Sequence, residues 1–179
     1  PQTFLARYTM LPHVTGQKSL WHAIHAQVIS RDEAEHLSRT RQEIAEIICR
    51  SYHWFQQAGL VEPFLYVPPV WSLGSISRKD LSSLPFDLYE TLTGVFDVRK
   101  NTYRFMPLTG YMADTPIRSL CLKFLNAVNR AWPMGPLRVA IHPDDLHYPL
   151  KADLSRHLAR FDRFLTYKEI MYCDIQSES

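Results

Sequence analysis

Arg138-Val139-Ala140-Ile141-His142-Pro143-Asp144-Asp145-Leu146 is the stretch whose reading decides the fold. Val139, Ala140 and Ile141 form an unbroken apolar run, which suits a strand buried in a parallel sheet covered on both faces. Pro143 stops that strand, because it lacks the N–H a ladder needs. Sites in such folds lie where strands end, since the departing loops can be polar while the strands hold them in place. His142 is therefore expected at the mouth of the sheet, with Asp144 and Asp145 near enough to orient or charge it. Proton transfer suits an imidazole placed there. The same spacing also fits a histidine that ends a strand against a carbonyl, beside an aspartate that caps a turn.

Downstream, Leu150, Leu154, Leu158, Phe161 and Leu165 mark a helix of about 15 residues by their spacing. Phe164 to Tyr167 then reads as a last short strand and 168–175 as a terminal helical turn. Upstream, Thr115-Pro116 opens a helix, with threonine at the cap and proline in the first turn. Ile117, Leu120, Cys121, Phe124, Val128 and Ala131 give it a clean apolar stripe, expected to face the core, and Pro133 and Gly135 end it. Leu88 to Leu92, Val95 to Val98 and Thr102 to Met106 are β-prone. Arg99-Lys100-Asn101 makes a hairpin of the last two. Ser77 caps a short helix over 78–83. Phe64 to Val67 reads as a strand that must leave its sheet at Pro68-Pro69-Val70-Trp71, because two prolines cannot sit inside a ladder.

Ser30-Arg31-Asp32-Glu33 matches a capping box. Ala34, Leu37, Ile44, Ile48, Tyr52 and Phe55 follow at helical steps until Gly59, so 31–58 reads as one long amphipathic helix with a break near Ser38. Residues 1–29 read as irregular or helical, with a short helix over Leu20 to Val28. His13, His22 and His25 fall there without an acidic third ligand nearby. His147 and His157 read as surface groups.

The chain has 179 residues, 46% hydrophobic and 21% charged, and a net charge of +2. That fits one globular domain over 1–179 with ample length for a core. Near-balanced charge argues against a nucleic-acid footprint, which needs a clustered basic face. No apolar run approaches the roughly 18 residues of a membrane span. Cys49, Cys121 and Cys173 are widely spaced, and the first two fall in helical patterns, so buried free thiols in a reducing, cytoplasmic setting are expected. The succession of elements is that of an α/β chain without repeats.

Val67-Pro68-Pro69-Val70-Trp71, Ala140-Ile141-His142-Pro143-Asp144-Asp145 and Phe164-Leu165-Thr166-Tyr167-Lys168-Glu169 occur in that order. With Leu92 to Asp97 and Asn126 to Arg130, they make the chain resemble the bacterial predicted-deacetylase family of the polysaccharide deacetylase (NodB-like) superfamily, from about Trp21 to Met171. The resemblance implies most of a distorted (β/α) barrel over 30–175, with a β-hairpin insertion and an open groove. It also implies hydrolysis of an N-acetyl or O-acyl group from a carbohydrate, assisted by a divalent metal such as zinc. His142 matches the general acid of that group, with Asp144 and Asp145 beside it, and Pro69 and Trp71 match a segment lining the groove. The early Asp-Asp strand and the His-x-x-x-His element that supply the metal ligands have no counterpart here. The domain is accordingly expected to be incomplete on its amino-terminal side. A non-catalytic carbohydrate-binding module or pseudoenzyme on the same fold is the alternative.

Overall fold

The computed structural model describes residues 36, 39–131 and 135–172. The expectations for 1–29, for the Ser30–Glu33 capping box and for Cys173 lie outside them. Helix α1, Arg41–Gln57, starts at Thr40, whose hydroxyl accepts from the Glu43 N–H while the Glu43 carboxylate accepts from the Thr40 N–H at 2.7 Å. These two bonds satisfy donors that a helix start otherwise leaves open. Because 39–40 are not helical, a single helix over 31–58 does not form. Ile44 and Ile48 point fully inward. Gly59, at φ +65°, follows the helix end in the left-handed conformation glycine tolerates.

A four-stranded sheet lies in the order β1 (Leu65–Tyr66), β2 (Leu88–Thr91), β3 (Gly94–Asp97), β4 (Thr102–Phe105). β1 runs parallel to β2; the other neighbours are antiparallel. After β1 the chain leaves the sheet at Pro68, makes a 3₁₀ turn over Pro69–Trp71 and then forms α2, Arg78–Leu81, under a Ser77/Asp80 capping box. The expected hairpin joins β3 to β4 through 98–101, with Asn101 at φ 49°. Strand alternation sends Tyr66, Tyr89 and Phe96 to one face, against Ile44 and Ile48. Leu88 and Val95 go to the other face, against Ile170 and Met171. These last two belong to a tail helix where a terminal helical turn is expected, whereas 164–166 form no strand. Thr166 caps that helix through Glu169.

A second, two-stranded parallel sheet pairs β5, Leu108–Thr109, with β6, Arg138–Val139. Between them runs α3, Pro116–Arg130, capped by Thr115 with Pro116 in its first turn. Its orientation reverses the expectation. Ile117, Leu120 and Phe124 are 77%, 71% and 69% exposed, Cys121 is exposed rather than buried, and Ser119 and Asn126 are the buried positions. The reason is the bare edge of β5. Asn126 accepts from the Gly110 N–H at 3.2 Å and donates to the Gly110 carbonyl at 2.8 Å, and Asn129 donates to the Leu108 carbonyl at 2.7 Å. Unpaired edge groups need partners, and the polar side of α3 provides them.

β6 is also shorter than the apolar run suggests. The Ala140 N–H still donates to the Thr109 carbonyl, but Ile141 is half-exposed, because no further strand covers it among the described residues. Helix α4, Lys151–Leu158, stops well short of 15 residues: the chain turns at Ala159, and Phe161 packs against His157 with the rings tilted and their centroids 4.9 Å apart. Helix α5 is the tail helix Tyr167–Tyr172. The α/β class therefore holds, as an open, mixed sheet with no closed barrel among the described residues.

Candidate functional site

Arg138 anchors the approach to His142. It is buried, and its guanidinium donates to Glu90 at 2.6 Å and to the carbonyls of Met106, Thr91 and Leu92 at 2.8–2.9 Å. The Tyr167 hydroxyl donates to the same Glu90 oxygen at 2.7 Å. Burial, and then the Glu90 charge, push the Tyr167 phenol far above its ordinary range, so it stays a donor. One cation thus ties β6 to the β2–β3 hairpin and, through Glu90, to α5. The sequence reading missed this set. Its one local signal is an arginine at the head of an apolar strand.

His142 caps a 3₁₀ turn over Pro143–His147, with proline in first position. Its backbone N–H donates to the Asp145 carboxylate at 2.7 Å. Asp145 is buried, and that burial raises its pKa, against the lowering effects of the His142 N–H bond and the His142 charge. The carboxylate therefore holds the backbone of His142 in place, and its second oxygen has no partner among the described residues. Asp144 is exposed beside it. The His142 ring is exposed at the rim of an open depression of about 300 Å³, whose walls include Ile141, Pro143, Leu146, Leu154 and Leu158.

Ser155 also lines the depression, but its hydroxyl donates to the Lys151 carbonyl at 3.0 Å along its own helix. Nothing there activates it as a nucleophile. Proton donation or acceptance by His142 is the chemistry this place offers. Pro69 and Trp71 are not among the walls. Pro69 is buried and Trp71 half-buried in a turn where Val70 and Trp71 take φ of 48° and 55°. That left-handed conformation is strained for a β-branched residue. The structure thus brings His142, Asp144 and Asp145 together on one turn, and of the five expected site residues His142 alone lines the depression.

Two other histidines are interior groups. His157 is buried rather than at the surface, bonded to the Tyr111 hydroxyl, and its pKa is lowered by burial and then by Arg130 and Arg160. His36, also buried, bonds the Tyr66 hydroxyl at 2.8 Å, and burial with the nearby Arg39 charge pushes it down to about 4. Among the described residues, no group of three or more His, Cys, Asp or Glu side chains could hold a metal ion. His13, His22 and His25 lie outside those residues. No helix among them is long and apolar enough to cross a membrane. No protein-family model, curated protein or solved structure matches this chain significantly.

Proposed function

We propose that this chain is the later part of a distorted (β/α) barrel of the polysaccharide deacetylase type, and that it carries the general acid of a hydrolase removing an acyl group from a carbohydrate. One observation carries the reading: an exposed imidazole, held by a capped turn just after a strand, stands at the rim of an open concavity. The resemblance of the segments around Pro69, His142 and Thr166 to that superfamily supplies the reaction class. In amide hydrolysis, water adds to the acyl carbon and the C–N bond of the tetrahedral intermediate then breaks. The departing nitrogen needs a proton at that moment. His142 in its imidazolium form would give it. Asp145 would keep the ring's position by holding its backbone.

The described residues do not fit a divalent metal by themselves. In this reading the ligands and the base come from outside them, and no step here runs through a metal. The test is acetate release from N-acetylated oligosaccharides by the full-length protein. His142→Ala is expected to lower kcat by about 10²–10⁴-fold, the usual weight of a positioned acid. An unchanged rate would remove the acid role.

A second reading, a non-catalytic carbohydrate-binding module, draws on the absence of a metal-ligand group among the described residues. Elemental analysis of the full-length protein separates the two. One divalent metal per chain supports the hydrolase, and none supports the binding module.

A further inference from the structure

Helix α3 turns its apolar side outward, and it is held that way. Ile117, Leu120, Cys121, Phe124 and Val128 recur at helical steps and are all exposed. The opposite side carries Asn126 and Asn129, whose three hydrogen bonds to Gly110 and Leu108 would break if the helix rolled to bury its stripe. A contiguous apolar stripe of this kind marks a contact surface.

The charges beside it say what kind. The charged side chains of α3 are all basic: Arg118, which pairs with Asp114 at 2.9 Å, Lys123 and Arg130. Lys123 pairs with Asp153 of α4 at 3.5 Å, and Leu122 packs against the cluster that holds Leu150 and Leu154, so α4 starts close to α3. Counting 114–131 and 150–164, seven bases face three acids, a surplus of four in a chain whose net charge is +2.

We propose that the α3 face docks on an anionic lipid surface, with the helix lying along the headgroup boundary. Exposed leucine and phenylalanine beside lysine and arginine are the composition of interfacial helices. With 15 residues, α3 is about 22 Å long, too short to span a bilayer but suited to lying on one. A second copy of this chain is disfavoured as the occupant, because it would bring together two surfaces that each carry the surplus of four bases. The proposal is independent of the role given to His142.

The test uses the full-length protein and vesicles of phosphatidylcholine alone or mixed with phosphatidylglycerol. Co-sedimentation is expected with the mixed vesicles only, weakening as salt is raised. Leu120→Glu and Phe124→Glu, at exposed positions that leave the fold intact by circular dichroism, should each lower partitioning roughly tenfold or more. A Cys49→Ser, Cys173→Ser protein carrying an environment-sensitive fluorophore on Cys121 reports what covers the face. A blue shift that appears only with anionic vesicles supports the proposal. A blue shift without vesicles at every dilution would mean that the protein's own chain covers it, and one that grows with protein concentration would mean a second copy. Either result, or equal binding to both kinds of vesicle, overturns the proposal.

Discussion

Replacing Arg138 by methionine tests the network that anchors the histidine-bearing segment. The guanidinium and its partner Glu90 are both buried, and the arginine also serves three backbone carbonyls. Arg138→Met fills similar space but leaves the Glu90 carboxylate inside with the Tyr167 hydroxyl as its remaining hydrogen bond among those described. Removing one member of a buried ion pair costs about 3–5 kcal/mol, because the other charge is left uncompensated. For a domain stable by roughly 5–15 kcal/mol, that is a large fraction. The loss should shrink in Arg138→Met/Glu90→Gln, where no buried charge remains and Tyr167 keeps an acceptor. Urea unfolding of wild type, both single variants and the double variant, followed by circular dichroism at pH 7, gives the coupling energy. A loss under about 0.5 kcal/mol in Arg138→Met, or strict additivity of the two changes, would refute the reasoning.

Three further outcomes follow from particular contacts. His36 has a folded pKa of about 4 against 6.5 when unperturbed, so only the unfolded chain gains the proton between those values. Stability should be full above pH 6.5 and fall on the order of 3 kcal/mol as pH drops to 4, with a shallower fall in His36→Gln, read from urea midpoints. Thr40→Ala removes the hydroxyl half of the α1 capping box and should cost about 0.5–2 kcal/mol in the same assay. Gly94→Ala places a Cβ 2.2 Å from the Arg104 carbonyl and 2.9 Å from the Tyr103 ring, so β3 and β4 must part. The thermal midpoint should fall as expected for about 1–3 kcal/mol of overpacking.

Local signals in the sequence read through to the structure where a single residue decides the backbone. Ser77 and Thr115 cap the helices they precede, Pro68-Pro69 takes the chain out of its sheet, and 98–101 turns the hairpin. Periodicity was less informative. It identified an apolar stripe on α3 but could not say which side docks, since that depends on the bare edge of β5 and on Asn126 and Asn129 reaching it. The run Val139–Ile141 reads as buried, yet a strand is buried only as far as neighbours cover it, and here the strand takes in Val139 alone of the three. At the candidate site, Asp145 lay where the spacing placed it, near His142, but it holds the backbone rather than the ring. Arg138, Glu90 and Tyr167 meet across 48 and 77 positions of chain, and contacts at that range leave no local spacing to read.

The pH dependence of acyl-group hydrolysis by the full-length protein, wild type against His142→Ala, probes the acid role most directly. An acid that must be protonated gives a limb in which kcat falls as pH rises, and the account predicts that this limb disappears in the residual activity of the variant. The same limb with the same midpoint in His142→Ala would contradict it.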